Sequence, residues 1–380
     1  MSQKEVVNQS RILVLSYEYL PLGGGGAKVV GGLVNEFASK GYTIDVVTMR
    51  FRGLKKVEKR DNITIYRVPS VRIHESRCFA IEMVPYIFFA FLKCLSLTKK
   101  HKYMLNHTHF IFPDGLVSFL IKIIRKLPLV VTAHGSDVPG YNPNRFKLLH
   151  VLLLPFWKMI VRNIDCIACP SMIIQDLINK NVPFATTRVV PNAIDIDKFC
   201  GDKPKDKKIL IVTRMFKRKG VQYVLEALQG LEHDFEVNIV GDGPYLGALQ
   251  KQATDLGNNV IFHGYMENTS EEFIDLYETS RIFVFPSEVE NFPIVLLEAM
   301  GAGMAIITTK GTGCAEVVGD TGLLVEPRNV EEIRKNLAHL INNESYCKEI
   351  GQLARERFVE NFSWSAVTKQ YTDLYKTVSE

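Results

Sequence analysis

The sequence predicts an α/β protein built from two parallel-sheet domains, and three observations carry that prediction. The chain has 380 residues, enough for two domains on length alone. Short apolar runs without polar alternation recur along it, for example at 11–17, 129–132, 209–213 and 305–308, as strands covered on both faces require. Stretches with helical apolar spacing lie between these runs, entered through loops rich in glycine, proline or cations, the alternation that parallel crossover connections produce.

The elements follow in order. Residues 11–17 (RILVLSY) read as the first buried strand, and 27–39 as a helix. The four glycines between them, from Gly23 to Gly26, let backbone amides approach a phosphate closely, though a plain flexible turn has the same composition. This is not the G-x-G-x-x-G pattern with a later ribose-binding acid, so a Rossmann oxidoreductase is disfavoured. A second strand covers 43–48, and 50–77 is rich in cations, including Lys55, Lys56, Lys59 and Arg60. Residues 78–97 are apolar enough to raise the question of a membrane span, but Glu82, Pro85 and Lys93 count against one. A core helix and a membrane-surface helix beside Lys99, Lys100 and Lys102 remain as readings. Strands at 105–110 and 129–132 follow. His134 comes just after the second, where open parallel sheets bind ligands, and is either a site residue or a hydrogen-bonded loop histidine. A helix at 145–162, a strand at 166–168, a helix at 171–180 and a charged, flexible connection at 203–208 complete this half.

The second half opens with a strand at 209–213. Arg214 and Lys219 stand between it and a helix starting at 221. They form either a solvated turn or a pair of cations able to neutralise a diphosphate, which arginine can bind bidentately. Strands at 235–240 and 260–264 and a helix at 271–280 lead to residues 283–303, FVFPSEVENFPIVLLEAMGAG. That stretch reads as a strand, an acidic loop at 288–291 and a helix at 293–300 with Pro293 in its first turn, stopped by Gly301 and Gly303. A helix start there points bare amides and a positive dipole end at an anion. Glu290 and Glu298 bracket the turn eight residues apart. Glu298 sits among apolar residues, and a buried carboxylate needs donors, for which sugar or ribose hydroxyls are suited. On spacing alone, two acids on a solvated face remain an alternative. A strand at 305–308, a loop at 311–317 containing Glu316, a closing stretch at 322–327 and helices from 330 to 362 follow.

These motifs resemble family 4 glycosyltransferases. The central stretch is similar to the E-x7-E signature of that family, standing here as Glu290-Asn291-Phe292-Pro293, then Ile294 to Leu297, then Glu298-Ala299-Met300. Asn291 and Pro293 replace two glycines, and Pro293 has no N–H to offer a sugar, which bears on sugar specificity more than on reaction type. His134-Gly135-Ser136-Asp137 resembles the family's H-G-x-D, and the strand at 105–110, with His109, its H-x-H. Pro191-Asn192 resembles its P-N-G-V-D, Arg214 to Gly220 its R-x4-K-G, and Phe262-His263-Gly264 its F-x-G.

The resemblance implies a GT-B fold, two Rossmann-like parallel-sheet domains facing a central cleft. It implies an acceptor-side domain at 1–187, a nucleotide-sugar domain at 188–362 and a last helix, 363–380, crossing back to the first. It implies a retaining transfer from a nucleotide-diphosphate sugar without a metal or other cofactor. His134, Glu290, Arg214 and Lys219 take the catalytic roles: the first two at the sugar, the last two at the departing diphosphate. Gly24, Gly25, Asn192, Gly264, Asn291, Phe292, Pro293, Ile294 and Glu298 take donor-binding roles, Glu298 at the ribose. Asp137 and His109 fall on the acceptor side, Asp137 also as a candidate to orient His134.

Charge and cysteine usage bound the partners. Residues 1–187 carry 25 basic and 12 acidic side chains, against 21 and 29 in 188–380. A basic half beside an acidic half suggests that the first faces something anionic, such as a phospholipid surface or a lipid diphosphate. No nucleic-acid motif accompanies the charge. Residues 1–10 are polar, unlike a secretory signal, and seven scattered cysteines suit plain thiols in a reducing compartment. The expected setting is therefore the cytosol, peripheral to the inner face of a membrane, with a lipid-linked or saccharide acceptor in polysaccharide or lipopolysaccharide assembly. A sugar-nucleotide epimerase and a non-catalytic nucleotide-binding scaffold are the rival readings.

Overall fold

The computed structural model describes residues 10–75, 78–141, 147–199 and 203–379. It divides into two compact units, one of residues 1–192 with 367–380 and one of residues 193–366.

The first unit opens with β1 (Arg11–Leu15), α1 (Gly25–Ser39), β2 (Thr43–Met49), β3 (Val57–Arg60), β4 (Ile63–Val68) and α2 (Ala80–Lys100). It continues through β5 (Leu105–His109), α3 (Asp114–Arg125), β6 (Leu129–Thr132), α4 (Lys147–Val161), β7 (Cys166–Cys169), α5 (Met172–Asn181) and β8 (Thr187–Val189). Its sheet runs β3-β4-β2-β1-β5-β6-β7-β8, parallel except for the β3–β4 pair. The order reverses between β1 and β5, so loops leaving the C-terminal ends of these neighbours diverge and open a crevice where ligands bind in such sheets. The glycine loop leaves β1 there, and His109 ends β5.

The second unit contains β9 (Asp206–Val212), α6 (Val221–Leu228), β10 (Glu236–Val240), α7 (Leu246–Gln252), β11 (Val260–Gly264), α8 (Glu271–Thr279) and β12 (Ser280–Phe285). Then come α9 (Ile294–Gly301), β13 (Ala305–Thr309), α10 (Gly313–Val318), β14 (Leu323–Val325), α11 (Val330–Asn342) and α12 (Glu344–Phe362). The sheet order is β11-β10-β9-β12-β13-β14, all parallel, reversing between β9 and β12. The cationic loop leaves β9 and the acidic loop leaves β12, again at the reversal. The ends of this unit meet: Ile194 bridges Ser363, and the Ile194 amide donates to the Phe362 carbonyl at 3.3 Å. The last helix, α13 (Trp364–Ser379), carries Tyr371 and Tyr375 into the first unit's core, where their hydroxyls meet Thr132 and His107.

Several local expectations are corrected. Residues 203–208 are not a flexible connection, because β9 starts at Asp206 and Lys205 is fixed. The Lys205 ammonium donates to the carbonyls of Tyr277, Glu278 and Ala302 at 3.2, 2.7 and 2.7 Å. Pro293 is not in the first turn of α9. It is the extended N-cap residue, φ −76° and ψ 116°. Within the basic stretch, Arg67 and Arg72 are buried. Arg67 pairs with Glu58 at 2.8 Å, and Arg72 donates to the carbonyls of His74 and Glu75. Only part of that charge therefore faces outward. Cys166 and Cys169 lie three apart on β7 and so point to opposite faces, with free thiols.

Candidate active site

In the second unit the site grows from two loops that clasp each other. The Glu288 amide donates to the Arg218 carbonyl at 2.9 Å, and Gly220 sits with φ +77° against Pro286. A Cβ at Gly220 would lie 2.2 Å from the Pro286 carbonyl oxygen, so only glycine allows this approach. The clasp sets Lys219, 8% exposed, directly on Glu290 as an ion pair. The same carboxylate oxygen of Glu290 accepts from Ser287 Oγ at 2.8 Å. Arg214 is exposed, its guanidinium 5.7 Å from the Phe216 ring, and it pairs with no carboxylate among the described residues. One cation is thus held by a carboxylate and the other is open to an incoming anion.

Glu298 faces inward from α9 and is 5% exposed. Its Oε1 accepts from Lys198 Nζ at 2.5 Å and its Oε2 from the buried Tyr277 hydroxyl at 3.1 Å. Burial, then the Glu298 charge, raise the Tyr277 phenol well above its ordinary value, so it stays protonated and donates. Two donors leave a carboxylate with spare acceptor capacity. The α9 start is fixed from β13 and α10: Thr309 Oγ1 donates to the Ser287 carbonyl at 2.6 Å, and the Gly313 amide to the Glu290 carbonyl at 3.0 Å. A Cβ at Gly313 would collide with the Asn291 carbonyl, 1.5 Å away. Asn291 is buried, and Phe292 turns its ring into the core, 5.7 Å from Phe362. Ile294 is half-buried at the helix start, where first-turn amides lack intrahelical acceptors. Gly264 ends β11 with φ +68° and open space at its Cβ position.

In the first unit, His134 follows β6 and is half-buried. Its ring packs 4.3 Å from Phe110, itself 4.8 Å from Tyr17, and its Nε2 lies 3.2 Å from Nδ1 of His109. Phe110 holds φ +73°, a left-handed conformation rare for an aromatic residue and seen here between His109 and its ring partner His134. Burial lowers the His134 pKa to about 4, so the ring is neutral near pH 7. Asp137 accepts from the amides of Ile111 at 2.7 Å and His134 at 3.0 Å. It therefore holds the loop backbone rather than the imidazole, and burial lifts its pKa to about 6. Gly24 and Gly25 have nothing within 4 Å of an added Cβ, whereas one on Gly26 would touch Phe110 and His134. Asn192, half-buried, is the last residue of this unit before the chain enters the second.

Sequence reasoning missed Lys198 and Tyr277, the protein partners of Glu298. Neither lies in a recognisable pattern, and Lys198 is 100 residues away in sequence. No cluster of three or more metal-ligating side chains occurs among the described residues.

Two doubly wound parallel sheets, each with candidate site residues at its order reversal, define the GT-B class of transferase folds. The profile described as "Glycosyl transferases group 1" matches residues 194–357, and that described as "Glycosyltransferase Family 4" matches residues 23–198. The chain belongs to the family 4, group 1 glycosyltransferases and is a glycosyltransferase. It is 26% identical over 378 residues to N-acetyl-alpha-D-glucosaminyl L-malate synthase of Bacillus anthracis, covering 93% of this chain and 94% of that protein. It is 25% identical over 320 residues to alpha-monoglucosyldiacylglycerol synthase of Streptococcus pneumoniae, covering 78% and 70%. Among solved structures, Anabaena HepE in complex with UDP-glucose superposes with a TM-score of 0.70 at 18% identity, covering 97% and 99%.

Proposed function

We propose that this enzyme moves a sugar, with retention of configuration, from a nucleoside-diphosphate sugar to a hydroxyl of a lipid-linked or saccharide acceptor, in the assembly of cell-surface polysaccharide or lipopolysaccharide. The observation that carries the reading is the Lys219–Glu290 ion pair, with Arg214, on the loop that leads to Lys219, paired with no carboxylate among the described residues. A donor diphosphate draws Lys219 off Glu290. The two cations then stabilise charge growing on the leaving oxygen, and the freed carboxylate accepts sugar hydroxyls. Glu298 uses its spare capacity for the ribose, and His134 contacts the sugar. The transfer uses no metal. The UDP-glucose held by the Anabaena protein supports a uridine donor, and the glycerolipid in the streptococcal relative's name supports a lipid acceptor.

A thermal-shift panel with UDP, GDP, ADP, CMP and NAD on the wild type and Glu298→Ala tests this. A ligand at 100 times its Kd adds about 2.7 kcal/mol of stability. One nucleoside diphosphate that shifts the wild type and not the variant supports the site. No shift with any of them refutes it.

The membrane part of the reading rests on α2. Glu82, Tyr86, Ala90, Cys94 and Leu97 bury one face, with Glu82 accepting from the amides of Phe79 and Ile73 at 2.8 and 3.0 Å. Ile81, Val84, Phe88 and Leu92 line the opposite face, between 45% and 77% exposed, at helical spacing. Lys99 and Lys100 in the last turn supply the charge that attracts anionic headgroups. The protein should sediment with anionic vesicles at low salt, and Phe88→Glu should release it. Failure of the wild type to sediment removes the membrane part and leaves the transfer reading intact.

A further inference from the structure

A column of histidines runs under the first unit's candidate site. His107 is fully buried and has both ring nitrogens engaged: Nδ1 with the Tyr375 hydroxyl at 2.6 Å and Nε2 with Thr132 Oγ1 at 2.8 Å. Its ring packs, tilted, 4.4 Å from that of His109. His109 is fully buried as well, but only its Nδ1 has a partner, Nε2 of His134 at 3.2 Å. The His109 Nε2 is buried with no hydrogen-bond partner among the described residues.

That orphan atom decides where the protons lie. Both imidazoles are neutral, because burial lowers the affinity of each for a second proton. Each ring therefore carries one proton, and the contact between them needs a donor on one side only. If His134 donated from Nε2, the proton of His109 would sit on its own Nε2, a buried N–H facing nothing. If His109 donates from Nδ1, the orphan Nε2 is a bare lone pair. Buried unpaired N–H groups are the rarer of the two defects. With the Nε2 of His134 then an acceptor, its single proton must sit on Nδ1. That atom faces the glycine loop, 3.7 Å from where a Cβ on Gly26 would lie, and takes no hydrogen bond among the described residues.

We propose that His109 is a positioning residue that locks His134 into the Nδ1–H tautomer, so that His134 offers its ligand a neutral N–H donor and cannot serve there as a base. The ligand atom it meets is then an oxygen with a free lone pair, as a sugar hydroxyl or phosphate provides. The functional half of this rests on His134 being a ligand contact. The tautomer stands apart from it.

The test is long-range 1H–15N correlation on histidine-labelled protein at pH 7, with His134 assigned by its loss in His134→Gln. The Nδ1–H pattern on His134 is expected, and an Nε2–H pattern in the unaltered protein overturns the proposal without any variant at His109. His109→Asn places an amide donor near the Nδ1 position and should keep the pattern, with turnover above that of a leucine at the same position. His109→Leu should lose the Nδ1–H pattern and about tenfold in kcat. A leucine variant with the native pattern refutes the positioning role. If instead the tautomer is as stated but His134→Gln turns over normally, the ligand contact is wrong and the tautomer stands.

Discussion

Removal of Lys219 is the most direct perturbation of the proposed chemistry. In Lys219→Ala, Glu290 loses its cation but keeps Ser287 Oγ, and its side chain retains 14% exposure to water. Breaking a fully buried pair costs about 3–5 kcal/mol, so partial hydration puts the folding penalty here at about 2 kcal/mol. The catalytic penalty is larger. A cation about 4 Å from a diphosphate oxygen at an effective dielectric of about 20 interacts with it by about 4 kcal/mol, and loss of one preorganised donor to a developing charge costs about 2.7–4 kcal/mol. Turnover should therefore fall about 100- to 1000-fold in a coupled assay of nucleoside-diphosphate release, with a circular-dichroism melt confirming the fold. The partner exchange adds a second, opposite signal. Glu290→Gln frees Lys219, so nucleoside-diphosphate binding should tighten a few-fold while turnover drops, whereas Lys219→Ala should weaken binding about tenfold. Turnover of Lys219→Ala within about threefold of wild type would refute the leaving-group role. Equal weakening of binding in both variants would refute the exchange.

Three further outcomes follow from the geometry. Gly313→Ala, which drives a methyl into the Asn291 carbonyl, should cost about 2–3 kcal/mol in a denaturant melt and reduce nucleotide binding. Gly24→Ala meets nothing within 4 Å, so its melt should stay within about 0.5 kcal/mol and any fall in turnover reports a ligand in the loop. Asp114 is fully buried, accepts from Tyr86 Oη at 2.5 Å and the Tyr17 amide at 3.1 Å, and is pushed up to about 8 by burial. The folded state therefore binds more protons than the unfolded between about pH 4 and 8, and this carboxyl's contribution to stability is lost as pH rises through that window. Asp114→Asn mimics the protonated group, so it should gain on wild type by up to about 1.4 kcal/mol per pH unit from about pH 4 to 8 and level off above, as read from urea midpoints. A pH-independent gap would show that Asp114 is already ionised when folded.

Much of the fold was legible because buried parallel strands leave a plain mark: runs such as ILVL at 12–15 and AII at 305–307 have no alternation to confuse them. The loops of the site were legible where glycine, proline and charge punctuate a strand-to-helix joint, as at Arg214 and Glu290. What the sequence hid depends on contacts distant along the chain. Lys205 looks like any surface lysine in a charged run, and only the fold brings three carbonyls to it. Phe292, inside a ligand-binding motif by resemblance, is held in the core by Phe362. The 78–97 stretch could be read as core or surface because α2 is both, with one face packed and one bare.

The route of the chain has a consequence for synthesis. The first unit is sewn from two pieces, and residues 193–366 are threaded between them. Thr132 and His107, under the candidate site, find partners in Tyr371 and Tyr375. On a ribosome adding about 5–20 residues per second, the larger piece waits about 10–40 s after Asn192 is made before those hydroxyls exist. The second unit, closed on itself by the Ile194–Ser363 bridge, suffers no such delay. The part of the enzyme translated first is thus the part completed last, and the His107 imidazole lacks its Tyr375 partner throughout the interval.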